Sequence, residues 1–414
     1  MDFFLEKIFK FDQKQYILCL ILIGFLIFFP TFFNGFVWDD EEQIVNNQAV
    51  HSLANLPSFF IGSTFNSGGN NSMEGLYYKP LMPTTFAFIY SIFGSSAFFF
   101  HLFQVILHIL NSILVFLTLQ YFLEGNQEKK SFLISLLPKQ ESIKINSMLF
   151  PFILSLFFLL HPINTETVAY ISAYQDILFF FFGIVALVLL IKFEEKSNSR
   201  LLQKLYKNET LVFFYTFLLL LLSILSKETG ALFWGIILLF VVFYKKTSKF
   251  NWLAGLVFLP LVYAFLRFAI AKVYFVKHDL MPIMRISFIQ RLYTLPKVIF
   301  YYLKTLVFPK DLAISQHWVI LQPDFLNFYL PLIIILLFFF GLTLYLIHLI
   351  KQQDKNWKEF LFFYLWFLIG IIIHSQIIAL DMTVAERWFY FPFVGLLGML
   401  GLIIYKYQKK ITKK

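Results

Sequence analysis

The 414-residue sequence holds a single cysteine, Cys19. It can form no intrachain disulfide, and no Cys-based metal site can be built from it. Charge is scarce as well: 14% of residues are charged, and only 24 of them are Asp or Glu. A Gly-rich phosphate loop is missing, so no nucleotide site of that kind is expected. No internal repeat, low-complexity linker or soluble appendage stands out, and residues 1–414 are expected to form one membrane domain. What fills the chain instead is apolar, 59% hydrophobic and 21% aromatic with 58 Phe. A soluble protein of this length cannot hide so much apolar surface. Runs of about 18 apolar residues recur, each a candidate membrane span. The sequence therefore predicts an all-α integral membrane protein. Its first run lacks a small-residue cleavage site and reads as a retained helix. The net charge of +10 would suggest nucleic acid in a soluble chain. Here the lysines flank apolar runs, so membrane orientation explains them and no nucleic-acid partner is expected.

About ten spans fit the hydropathy: 16–33, 98–122, 148–160, 168–192, 211–226, 229–244, 251–270, 326–350, 359–379 and 387–405. Alternate connections then collect most of the basic residues: Lys7, Lys10 and Lys14; Lys129, Lys130, Lys139 and Lys144; Lys192, Lys196, Arg200, Lys204 and Lys207; Lys245, Lys246 and Lys249; Lys351, Lys355 and Lys358; and the tail 406–414. The positive-inside rule places both termini in the cytoplasm, with larger outer loops at 34–97 and 271–325. The second loop is itself basic, with Lys272, Lys277, Arg285, Arg291, Lys297, Lys304 and Lys310. One reading lets 291–308 cross the membrane. The other makes it an interfacial amphipathic helix with Lys297 and Lys304 on one face, which suits the pattern better.

In this topology five polar clusters share the outer face. Asp39-Asp40-Glu41-Glu42 puts four of the 24 acidic residues at one membrane edge, directly after Trp38. A carboxylate there can serve as general base or ligate a hard cation, while the bland alternative is a solvated loop start. Adjacent residues diverge on any backbone, so spacing does not choose between Asp39 and Asp40. His161 and Glu166 lie in a connection broken by Pro162, where Glu166 is explained equally well as a helix start favourable to the dipole. His101, Gln104, His108 and Asn111 fall on one helical face, for which interhelical hydrogen bonding is the plainer role; His101 lies nearest the outer side. Lys227-Glu228 and Glu386-Arg387 are either local ion pairs or part of a phosphate site, and Arg387 offers the fork that phosphate prefers, ahead of Lys79 and Lys227.

Taken in order, these motifs resemble one family. Phe36-Val37-Trp38-Asp39-Asp40 through Ile44 and Asn46-Asn47 is similar to the first luminal loop of the transmembrane O-mannosyltransferases with tetratricopeptide repeats. Tyr78-Lys79-Pro80-Leu81, His101-Leu102 and Leu107-His108 resemble its next block. His161-Pro162-Ile163 with Thr165-Glu166 and Val168-Ala169, then Lys227-Glu228, then Val384-Ala385-Glu386-Arg387 with Tyr390 and Pro392, continue the series over residues 34 to 392. The repeats of that family have no counterpart in these residues, which leaves the acceptor and the sugar open.

The resemblance implies a GT-C-type polytopic helical bundle. It also implies a glycosyltransferase that moves a sugar, with mannose the candidate, from a polyprenyl-phosphate-linked donor to an extracytoplasmic hydroxyl. An acid of the first outer loop would act as base, a role falling on Asp39 or Asp40; in metal-dependent branches the same acids would hold a divalent cation, Mg or Mn. Donor-phosphate or substrate contacts are expected from Lys79, His101, His161, Glu166, Lys227, Glu228, Glu386 and Arg387. The partners implied are the sugar-lipid donor, a protein, lipid or polysaccharide acceptor, and membrane lipid. The Lys-, Asn-, Ile- and Phe-rich composition suits the cytoplasmic membrane of an AT-rich prokaryote. A transporter or flippase of a lipid-linked saccharide is the rival class; it would be expected to show inverted repeats or broken midplane helices.

Overall fold

Polar caps decide where the apolar runs begin as helices. Asp12 accepts from the Gln15 N–H while Gln15 reaches back to the Asp12 N–H, and helix α1 starts at Gln13. Ser287 and Gln290 repeat this reciprocal pair at a later helix, and Asn208 caps another by accepting from the Thr210 and Leu211 N–H groups. The computed structural model describes residues 11–64, 77–124, 147–195, 208–245, 248–274 and 281–411. In chain order its helices are α1 (Gln13–Phe28, extended by a tight turn through Phe33), α2 (Leu81–Phe93), α3 (Ala97–Glu124), α4 (Leu149–Leu160), α5 (Thr165–Ala169), α6 (Tyr174–Glu194), α7 (Glu209–Ser226), α8 (Ala231–Tyr244), α9 (Lys249–Ile270), α10 (Phe288–Val307), α11 (Leu330–Lys351), α12 (Trp357–Ile373) and α13 (Tyr390–Ile411). Among the described residues there is no strand, and a lone antiparallel bridge joins Gln316 to Val384. The all-α polytopic architecture expected from composition is the one observed.

Helices α3, α6 and α13 form the buried centre, with α4, α7, α8 and α12 packed around them, while α9 and α11 stand at the periphery. The core is aromatic: Phe158, Phe180, Phe233, Trp366, Tyr390 and Phe391 meet ring on ring, largely edge to face. Close approach of α12 to α13 depends on Gly395, where a Cβ would come within 2.6 Å of the Phe367 nitrogen. Lipid supplies no hydrophobic drive between helices, so such backbone contact is what tight packing rests on.

The span count differs from the expected ten. Among the described residues seven helical stretches are long and apolar enough to cross a membrane, or eight if α4 and Pro162–Ala169, bent by 50°, form one. Each expected run does become helix, but α8 and α12 are too short by this measure, at 14 and 17 residues. The run at 359–379 stops at Ile373 because Gln376 pulls the chain into a loop. Its amide donates to the Met382 and Thr383 carbonyls and accepts from the Leu380 N–H, with its own backbone left-handed at φ 61°. Hydropathy counts Ile377 and Ile378 as span, yet both are exposed on this loop. Within 34–97 a helix was not anticipated; α2 occupies it, closed by Gly94 at φ 63°. Helix α10 is amphipathic and buries Thr294, Val298, Tyr302 and Thr305 along one face. It is not among the stretches apolar enough to cross. The basic residues at 7, 10, 129–144, 196–207, 246, 277 and 413–414 lie outside the described residues.

Candidate active site

The acidic edge separates its two aspartates by environment. Asp40 is fully buried, and one carboxylate oxygen accepts from both the Ser172 N–H (2.7 Å) and the Ser172 hydroxyl (2.6 Å). The other accepts from the Val37 N–H at 3.2 Å. Burial pushes the Asp40 carboxyl above the ordinary carboxylate range, while the bonds from Ser172 and Val37 pull the other way. This buckle closes the turn 37–40 and holds Trp38 at φ 52°, a left-handed conformation costly for a bulky residue. Asp39 is thereby turned out to the surface, within reach of the Tyr170 hydroxyl. Glu41 and Glu42 start a short helical turn, and Glu42 accepts from the Asn46 amide at the surface.

Opposite charges gather around the N-terminal end of α6. Asp176 accepts from the Lys227 ammonium at 2.5 Å and lies 3.8 Å from the Arg387 guanidinium. Arg387 is bound by Glu166, which takes both its guanidinium and its backbone N–H (2.8 Å for the latter). Glu228 accepts from Arg267 and from the Tyr78 N–H at 3.3 Å. Lys79 is buried beside them, its ammonium 4.0 Å above the Tyr77 ring, and Tyr77 donates to Asp381 at 3.0 Å. Burial, with Lys227 nearby, pulls the Lys79 ammonium down to about 8, against the attraction of Glu228, Asp381 and Asp176. Lys79, Glu166, Lys227, Glu228 and Arg387 thus converge from segments far apart in sequence.

The acidic edge and this cluster are joined through one stretch of chain. Ser172, which binds Asp40, lies in the tight turn before α6, and Asp176, which binds Lys227 and Arg387, lies four residues on in the first turn of α6. Three expected residues stand apart from that grouping. His161 accepts from the Ile163 N–H (3.1 Å) and donates to the Leu306 carbonyl (3.0 Å), which ties the bend after α4 to the end of α10. Glu386 points away from Arg387 and takes the Tyr301 hydroxyl (2.7 Å) and the Ala313 N–H (2.6 Å). His101 is buried against the Asn34 and Gly35 carbonyls, below the turn that leads to Asp39. The rest of its helical face makes interhelical bonds: Gln104 to the Thr167 and Tyr170 carbonyls, His108 to Tyr390 and Leu159, Asn111 to Ile177 and Tyr390.

A divalent cation does not fit these residues well. Asp40 is fully buried with its carboxylate turned to the Ser172 and Val37 donors, and among the described residues no three His, Cys, Asp or Glu side chains converge as metal donors. Sequence reasoning missed Asp176, Arg267, Asp381, Tyr77 and Tyr170. Asp176 and Arg267 did carry a signal, since each is a charge inside an apolar run. Tyr77, Tyr170 and Asp381 carried none.

The chain's curated relatives are protein O-mannosyl-transferases. One from Caenorhabditis elegans is 27% identical over 214 residues, 52% of this chain and 26% of the relative. The human protein O-mannosyl-transferase TMTC1 is 28% identical over 211 residues, 50% of this chain and 21% of its own length. Human TMTC3 is 24% identical over 216 residues, 52% of this chain and 20% of its own length. The chain therefore spans about a quarter or less of the relatives it matches, and the resemblance drawn from the ordered motifs agrees with them. No family model matches the chain, and no solved structure matches it significantly.

Proposed function

We propose that this chain is a membrane glycosyltransferase of GT-C type. It moves one sugar, with mannose the candidate, from a polyprenyl-phosphate donor to a hydroxyl on a protein, lipid or polysaccharide acceptor. The site faces away from the cytoplasm and both termini lie inside. The observation that carries this reading is the link through the start of α6: Ser172 holds Asp40, whose neighbour Asp39 is exposed, and Asp176, four residues on, holds Lys227 and Arg387, with Lys79 buried beside them.

In the proposed step the Asp39 carboxylate takes the acceptor hydroxyl proton as that oxygen bonds to the anomeric carbon. The bond from the anomeric carbon to the phosphate oxygen breaks, and the lipid phosphate leaves with the electron pair. Arg387, Lys227 and Lys79 stabilise the charge that develops on it. A single displacement inverts the anomeric configuration. Asp40 is fully buried, out of an acceptor's reach, and serves as the buckle that presents Asp39.

The reading is tested with purified protein in liposomes, given polyprenyl-phosphate mannose and a hydroxyl acceptor. Asp39→Asn is expected to fold normally and to transfer no sugar. Asp40→Asn places an amide against the Ser172 and Val37 donors, so it is expected to lower both melting temperature and transfer. Full transfer by Asp39→Asn would remove the base assignment. Movement of the sugar lipid between leaflets without transfer would make the protein a flippase instead.

A further inference from the structure

Gln104 bears a more particular load than a general interhelical bond. It is fully buried on α3, and its amide nitrogen donates to the carbonyls of Thr167 (2.6 Å) and Tyr170 (2.7 Å). A primary amide has two N–H donors, and both are used here. The two carbonyls lie where the chain leaves α5, turns through extended Tyr170 (φ −99°, ψ 114°) and enters the tight turn before α6. This stretch, 165–172, touches both halves of the proposed chemistry. At one end Glu166 grips the Arg387 guanidinium and backbone. At the other, Ser172 binds Asp40, and Tyr170 reaches Asp39.

We propose that Gln104 is a positioning residue: by pinning the stretch 165–172 it sets where the base-bearing edge sits relative to Arg387. The inference rests on the glycosyl-transfer reading. Gln104 touches neither substrate nor reacting atom; it acts through backbone that carries groups on both sides of the anomeric carbon. Helix α5 and the tight turn before α6 are each about one turn long and meet at extended Tyr170, and one amide bridging the Thr167 and Tyr170 carbonyls fixes that junction. Displacement of reacting groups by about 1 Å can cost roughly 100-fold in rate.

The test compares Gln104→Leu, close in volume but without donors, with the parent in the liposome assay. Ser223→Ala, which removes another buried bond from α7 to the Phe179 carbonyl, is the control for a general loss of packing. The expected result for Gln104→Leu is a fall of about 10- to 100-fold in kcat per folded molecule, with KM for donor and acceptor nearly unchanged. Ser223→Ala is expected to lower the melting temperature without that fall in kcat. If Gln104→Leu does not fold, Gln104→Glu keeps the shape but can donate at most one hydrogen, and its kcat is read in the same way. A kcat within about twofold of the parent, or a rise in KM with kcat intact, overturns the inference while transfer by the parent leaves the enzyme reading standing. No transfer by the parent overturns both.

Discussion

At Lys79 the placement of one ammonium sets a pH dependence. The side chain is buried with Lys227 nearby, and its proton is held at about 8 rather than the ordinary lysine value. For a base, a folded value below the unfolded one means that folding disfavours the charged form. This residue's contribution to stability therefore improves as pH rises from about 8 towards the unfolded value, and does not fade. Phosphate recognition has the opposite sign, because the charge that would face the donor is lost as pH passes about 8. The KM for the lipid-phosphate donor is thus expected to climb above pH 8 with no matching drop in melting temperature from this residue. Lys79→Arg, whose cation persists through that range, is expected to flatten the rise. A KM profile that keeps its slope in Lys79→Arg would assign the titration to another group. The aspartates show the limit of sequence at this scale. Asp39 and Asp40 are identical in type and adjacent, and only the distant Ser172 and the local Val37 N–H make one a buckle and leave the other exposed.

Among the elements, the long apolar runs and their caps could be read from the sequence because a span needs little beyond length and composition. Breaks were harder. Pro162 signals the bend after α4, but the loop after α12 is made by Gln376 bonding to residues several positions ahead, which no hydropathy window registers. Helix α2 was hidden because it is short and sits between polar stretches. His161 was expected at the site, and its bonds place it as a fastener between two elements. Both ring nitrogens are engaged, one with the Ile163 N–H and one with the Leu306 carbonyl. His161→Phe retains a ring that can pack on Phe157 and Phe393 but loses both bonds. It is expected to cost about 1–3 kcal/mol of stability, with kcat per folded molecule close to the parent. Thermal unfolding alongside the transfer assay checks this, and a loss of kcat beyond the loss of folded protein would return His161 to the reacting groups.

Over the whole molecule the charged cluster depends on distant segments meeting: Glu166 and Arg387 are 221 residues apart, yet they form a buried ion pair between α5 and the turn that leads into α13. The ordered motifs announced both residues, but pairing was beyond them, since Glu386 stands next to Arg387 and was the nearer candidate partner. The fold instead sends Glu386 to Tyr301 and Ala313. A buried pair of this kind separates folding from function. Removing Glu166 alone strands a buried cation, a cost of about 3–5 kcal/mol where no substitute partner moves in. Asp176, already 3.8 Å from Arg387, can take up part of that load. Replacing both members with apolar residues of similar size removes the stranded charge, and such exchanges are often neutral or stabilising. Glu166→Gln is therefore expected to melt well below the parent, while Glu166→Leu combined with Arg387→Leu recovers much of the lost stability. The same double variant is expected to transfer no sugar, because the cation meant for the leaving phosphate is gone. Recovery of stability together with transfer would show that the pair is architectural and that Lys227 and Lys79 suffice for the phosphate.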